Sequence, residues 1–200
     1  MLHNLVLSQK KEVEAQLAQR YIPRDLSTGN IGGDRLIRVI TGPRRAGKSL
    51  FALHLLQQTA SFGYINFDDE RLSFVEDYDE IIAAVNSVYG RPEFLLLDEV
   101  QNLKNWELFV NRLQRQGYHL VITGSNAHLL SSEMATHLTG RHIPFLLLPF
   151  SFREYLRVLE RELTDVEKEE ALRTYCRQGG FPEPLLYEIN RRDYLENLIQ

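Results

Sequence analysis

Two glycines, a lysine and a serine stand at a telling spacing in VITGPRRAGKSLFALHLL, residues 39–56: Gly42, Gly47, Lys48 and Ser49. They match G-x-x-x-x-G-K-[ST] between an apolar run and a helical pattern, the setting in which such a loop can grip phosphate. Glycines let backbone N–H groups turn inward on phosphate oxygens. The following helix adds the positive end of its dipole, Lys48 reaches the outer phosphates, and the Ser49 hydroxyl ligates Mg²⁺. The expected nucleotide-contacting stretch is Gly42, Pro43, Arg44, Arg45, Ala46, Gly47, Lys48, Ser49 and Leu50. A Gly-rich turn with a solvated lysine is the weaker reading. Arg44 and Arg45 read as contacts to phosphate or to a neighbouring subunit, and nearly as well as surface charge.

A loop that holds phosphate need not hydrolyse it, so the carboxylates matter more. FLLLDEVQNL drives an apolar strand into Asp98 and Glu99. Carboxylates at the C-terminal end of such a strand are placed where parallel sheets present ligands. Asp98 would order Mg²⁺ and Glu99 would orient or deprotonate the attacking water, giving Ser49 and Asp98 as metal-associated groups and Glu99 and Lys48 as catalytic ones. The strand of VITGSNAHLL ends at Ser125 and Asn126, either of which offers a polar tip to hold the water or sense the outermost phosphate. Ordinary turn chemistry explains Gly-Ser-Asn almost as well. Arg141, just before the last strand, could project towards a neighbour's outer phosphate or equally be solvated. With no Asn-Lys-x-Asp stretch of the guanine-specific kind, ATP is expected over GTP.

These groups need elements to position them. LIRVIT (36–41), YINFD (64–68), FLLLD (94–98), LVITG (120–124) and IPFLLL (143–148) are short apolar runs separated by longer stretches at helical spacing. Tyr78, Ile81, Ile82, Val85, Val88 and Tyr89 form one helical stripe before Gly90; Trp106, Phe109 and Leu113 mark another. Near-continuous apolar strands between helices predict a parallel sheet covered on both faces. Beyond about residue 150 the strand signal stops, and Thr164 with Glu167 makes a capping box for a helix that ends at Gly179-Gly180. The expected organisation is a core over 1–150 with an N-terminal helix, and a small, incomplete helical subdomain over 151–200. Phe152, Tyr155, Tyr175 and Phe181 are expected to pack that subdomain on the core. Tyr194, Leu195, Leu198 and Ile199 form a final stripe expected to lack cover. Asp68 and Asp69 read as loop and cap residues, and His137 and His142 as surface positions.

A net charge of −4 over 200 residues provides no overall basic field, so generic polyanion affinity is not indicated. The single cysteine, Cys176, cannot form an intrachain disulfide, and no apolar run approaches the roughly 18 residues that span a bilayer. A cytoplasmic protein without a membrane partner is the expectation.

GPRRAGKS, YINFDDERL, LLLDEVQNLKNWE, ITGSNAHLLSSEMATHLTGR, LLLPFSFREYL and GGFPEPL, in that order, resemble the prokaryotic AAA-type ATPases of the archaeal-ATPase-like group. The resemblance covers nearly everything from about Arg20. It implies an α/β P-loop NTPase fold with strand order 5-1-4-3-2 and a helical appendage, with ATP and Mg²⁺ as ligands. It also implies a phosphate lysine at Lys48, a metal aspartate at Asp98, a glutamate at Glu99 and a polar sensor at Ser125 or Asn126. Ser49 stands where many members carry threonine, and either hydroxyl can ligate magnesium. Members usually continue into a C-terminal domain of nuclease-like fold, and the expectation from these 200 residues is a chain without it. The reading is a Mg²⁺-dependent ATPase driving an unidentified remodelling task, with a homo-oligomer contact through Arg141. The alternative is a nucleotide-operated binding module whose turnover is incidental and whose bound state is read by a protein or DNA partner. A small-molecule kinase fits less well, because a glutamate beside the metal aspartate favours attack by water.

Overall fold

The structure, a computed structural model, describes residues 1–59, 61–124, 138–187, 189–190, 194 and 196. Five strands, β1 (Ile37–Thr41), β2 (Phe62–Asn66), β3 (Phe94–Asp98), β4 (His119–Thr123) and β5 (His142–Leu146), form one sheet in the order β2-β3-β4-β1-β5. Every pairing is parallel. This is the strand order implied by the resemblance, and the runs read from sequence overlap all five strands.

Side-chain alternation explains why the sheet is buried on both faces. Ile37, Val39, Leu95, Leu97, Leu120 and Ile122 point to one cluster, where they meet α3 (Tyr78–Tyr89) and α4 (Trp106–Arg115). Ile40, Phe94, Leu96 and Val121 point to the other, against α2 (Lys48–Leu56). The stripe of α3 buries Ile81, Ile82 and Val85, and the helix stops at Gly90, whose left-handed conformation (φ 73°) closes its C-terminus.

The N-terminal helix α1 (Leu2–Leu17) docks through both apolar and polar contacts. Leu5 and Val6 are buried, and the Gln9 carboxamide pairs with the backbone of Asn66: Nε2 donates to its carbonyl at 3.1 Å and Oε1 accepts from its N–H at 2.9 Å. A side-chain amide thereby caps the end of an edge strand whose backbone groups would otherwise lack partners. Arg38 is the unexpected residue of β1. It is 2% exposed, and the two Nη atoms of its guanidinium donate to Asp34 at 2.6 Å, to the Leu36 carbonyl at 2.7 Å and to the Asn30 carbonyl at 3.0 Å, while Nε is buried without a hydrogen-bond partner among the described residues.

Helices α5 (Phe152–Val158), α6 (Asp165–Gln178) and α7 (Pro182–Leu186) follow the sheet. Capping boxes start α5 at Ser151 with Glu154 and α6 at Thr164 with Glu167. Phe152, Tyr155 and Tyr175 pack on one another with ring centroids 5.4–6.2 Å apart. Phe181 instead meets Tyr194 at 6.2 Å. Tyr194 is 6% exposed, so the expectation that the final stripe lacks cover fails at its first residue. Leu195, Leu198 and Ile199 lie outside the described residues, as do Ser125, Asn126 and His137. Among the described residues no helix is long and apolar enough to cross a membrane.

Candidate functional site

β1 ends at Thr41 and the loop 42–47 leads into α2, so the phosphate-loop residues lie at the C-terminal edge of the sheet. Gly42 has φ 149°, and a Cβ there would fall 2.0 Å from the Leu147 carbonyl oxygen, leaving room for glycine alone. Gly47 is the N-cap of α2 in the left-handed region (φ 88°) and has no side chain to satisfy the first N–H groups of that helix. Those groups and the dipole behind them favour an anion. Lys48 Nζ donates to the Gly42 carbonyl at 3.3 Å and to the Pro43 carbonyl at 3.1 Å. Burial pushes its pKa down from 10.5, while the Glu99 and Asp98 charges work in the opposite direction.

Asp98 closes β3 at the same edge and is 2% exposed. Three hydroxyls donate to it: Ser49 Oγ at 2.9 Å and Thr123 Oγ1 on one oxygen, and Tyr64 OH at 2.9 Å on the other. Burial raises the Asp98 pKa above 3.8, and the hydrogen bonds from Thr123, Ser49 and Tyr64 counter it. Burial beside the same carboxylate drives the Tyr64 phenol far up, so it remains a donor. Thr123 ends β4 and links the two acidic residues, because its hydroxyl also accepts from the Glu99 N–H at 3.1 Å. Glu99 adopts φ 50°, a left-handed conformation that turns the chain sharply after the strand. Its carboxylate accepts from Gln101 Nε2 at 2.6 Å.

Gly47, Lys48, Ser49, Leu50 and Glu99 line one cleft of about 400 Å³. Its other walls are Gln16 in the last turn of α1, Gln19 and Arg20 just after it, and Pro182, Glu183, Leu186 and Tyr187 of the α7 region. Arg45, in the left-handed region at φ 61°, pairs with Glu183 at 2.9 Å and lies over the Tyr194 ring at 5.1 Å. Arg24 also reaches the loop. It donates to the Ala46 carbonyl at 3.0 Å and the Leu148 carbonyl at 2.5 Å, and pairs with Glu154 at 3.0 Å.

Lys48, Ser49, Asp98 and Glu99 therefore converge. Arg44 is exposed, and Arg45 is engaged by Glu183. Arg141 does not join the group: its carbonyl accepts from the N–H of Ile37, the first residue of β1, and its Nη1 donates to Asn111 at 3.3 Å. The loop begins about 13 Å away along that strand at its usual rise per residue. Asp69 caps a short 3-10 turn and pairs with Arg71 at 2.6 Å, as its reading as a cap residue anticipates. Thr123, Tyr64, Gln101 and Arg24 were not singled out from sequence. Only the two hydroxyls left a trace, as polar groups inside strands with otherwise apolar neighbours.

Mg²⁺ takes oxygen ligands and keeps several waters. Ser49 and Asp98 supply adjacent oxygens, and among the described residues no group of three or more His, Cys, Asp or Glu forms a ready metal cage. That donor set fits a metal held largely by water and phosphate oxygens.

A five-stranded parallel sheet in this order, with a glycine-rich loop capping α2 beside a buried aspartate, defines an α/β P-loop NTPase fold. Its solved counterparts include the Walker-type ATPase of Pyrococcus abyssi, with a TM-score of 0.50 and 16% identity over 91% of this chain and 72% of that one. Residues 34–156 match the family model described as an AAA domain, and the chain belongs to that family as an AAA-type P-loop ATPase of the archaeal-ATPase-like group. An uncharacterised protein of Methanocaldococcus jannaschii is 34% identical over 94% of this chain and 43% of its own length. Another, from Haemophilus influenzae, is 32% identical over 75% of this chain and 40% of its own length. The chain thus spans less than half of either relative.

Proposed function

We infer that the chain hydrolyses ATP with Mg²⁺, using the core over 1–150 and driving movement of the helical part over 151–200. The observation that carries this reading is the placement of Glu99 in one cleft with Gly47, Lys48 and Ser49, one residue from the buried Asp98. The α2 N-terminus and Lys48 would hold the phosphates, and Ser49 and Asp98 would hold Mg²⁺, which supplies neutralisation of phosphate charge. The water oxygen bonds the γ-phosphorus as the bond to the bridging oxygen breaks. ADP leaves with that electron pair, and the proton given up by water passes to Glu99 and then to solvent. Ser125 or Asn126 would sense the outer phosphate. Arg141, remote from its own loop, would serve only a neighbouring subunit's nucleotide in a homo-oligomer.

A second reading, a nucleotide-operated module whose state a protein or DNA partner reads, draws on the Arg45–Glu183 pair. That contact ties the phosphate loop to α7, so occupancy of one bears on the position of the other. Phosphate release and fluorescent-ATP binding separate the two readings. Under hydrolysis, Glu99→Gln binds ATP but turns over roughly 10²-fold slower or worse, while Lys48→Ala loses both functions. Asp98→Asn falls between them and is partly rescued by excess Mg²⁺. Turnover by Glu99→Gln at the parent rate would favour the module instead.

A further inference from the structure

We propose that Gln101 is a positioning residue for hydrolysis, committing one oxygen of Glu99 to its own amide and leaving the other free to take the proton of the attacking water. This rests on the reading of Glu99 as the base. Three observations carry it. First, the Glu99 backbone is already held, with its N–H bonded to Thr123 and its φ at 50°, so only the side-chain torsions remain to be set. Second, Gln101 is rigidly presented. It lies in a 3-10 turn between Val100, 0% exposed, and Leu103, 6% exposed, and Leu103 N–H bonds the Val100 carbonyl at 3.0 Å. Third, Gln101 donates to Glu99 Oε2 at 2.6 Å while its own Oε1 is buried without a hydrogen-bond partner.

An unsatisfied buried acceptor is costly, and a carboxamide could in principle rotate away to relieve it. The charge-assisted bond to Glu99 is the interaction that holds the amide in place, since bonds to ionised groups are the stronger kind. The consequence for chemistry is geometric. A carboxylate with two free oxygens can swivel; one with Oε2 tied to a fixed turn presents Oε1 in a single direction. A base must lie within hydrogen-bond reach of its proton, and misplacement by about 1 Å can cost 10²-fold in rate.

The test is a double-mutant cycle on ATP turnover, with fluorescent-ATP affinity and thermal melting measured on the same proteins. Gln101→Leu should lower kcat by about 10- to 100-fold, with the Kd for ATP changed less than about twofold. In the Glu99→Gln background the same substitution should cost less than about twofold further, because its effect passes through Glu99. Gln101→Glu, nearly the same shape, should lower kcat at least as much by setting a second carboxylate against Glu99, and it keeps the test valid if Gln101→Leu melts early. Equal losses in the parent and Glu99→Gln backgrounds, or loss of ATP affinity in both Gln101 variants, would overturn the proposal and leave the hydrolytic reading intact. Should Glu99→Gln alone turn over at the parent rate, both readings fall.

Discussion

Alanine at the two loop glycines should separate space from backbone conformation. At Gly47 a Cβ would meet nothing nearer than Pro182 Cγ at 3.9 Å, so Gly47→Ala incurs only the left-handed conformation at φ 88°. That strain is about 1–2 kcal/mol, or a fall in Tm of about 2–8 °C for a chain of this size. At Gly42 the Cβ would stand 2.0 Å from the Leu147 carbonyl oxygen, a backbone atom that no rotamer can move. The neighbouring bond from the Leu147 N–H to the Thr41 carbonyl, 2.8 Å, joins the ends of β5 and β1 and must yield. Backbone strain of about 1–3 kcal/mol and overpacking of about 1–3 kcal/mol together place Gly42→Ala at about 2–6 kcal/mol. Thermal and urea melts of the empty protein read the stability difference, and fluorescent-ATP titration reads the loop. Both variants should bind ATP more weakly, because both redirect N–H groups of the loop. If Gly47→Ala proves the more destabilising substitution without nucleotide, the account of what confines each glycine is wrong.

Tyr64→Phe removes a donor from the buried Asp98 carboxylate and should destabilise the protein near neutral pH by about 1–3 kcal/mol, measured by urea titration. Because burial raises Asp98 above 3.8, at pH between 3.8 and the folded value the folded chain holds a proton there that the unfolded chain has released. Stability linked to this group therefore declines as pH rises from 3.8 through the folded value, whereas under the proposed role of Asp98 in holding Mg²⁺, ATP affinity should be lost as pH falls through it. Tyr64→Phe should move that loss of affinity to higher pH in titrations of ATP binding. Arg24→Met leaves Glu154, 5% exposed, without its cation. With backbone N–H groups of Asp25 and Ser151 still on that carboxylate, the loss should sit near the low end of the usual range, about 3 kcal/mol. Adding Glu154→Gln should recover part of that loss in a denaturant midpoint. If Arg141 acts on a neighbour, Arg141→Ala should keep ATP affinity and lower turnover about 10³-fold, and parent activity per molecule should rise with protein concentration.

The phosphate loop, the Asp98-Glu99 pair, the five strands and the α3 stripe were legible in sequence because each is local. A loop motif spans a few residues, and periods of 2 or 3.6 declare themselves within one element. The capping boxes at Ser151 and Thr164 are local in the same way, although only the second was read. Contacts between distant segments were not legible. Tyr64 and Thr123 lie 34 and 25 positions from Asp98, and only the parallel registers β2–β3 and β3–β4 set their hydroxyls on one carboxylate. Arg24 lies 130 positions from Glu154 and carries no local signal, and Arg45 lies 138 from Glu183 and reads locally as a phosphate contact, a subunit contact or surface charge; packing decides the partner of each. Arg38 interrupts an apolar strand, and only the turn that carries Asp34 back beside it makes its burial tolerable. Residue types and their short-range spacing determined which chemistry the chain can hold. Strand register and the docking of α1, α5 and α7 decided which polar groups surround it, because the desolvation that gives those groups their effect exists only after packing has excluded water.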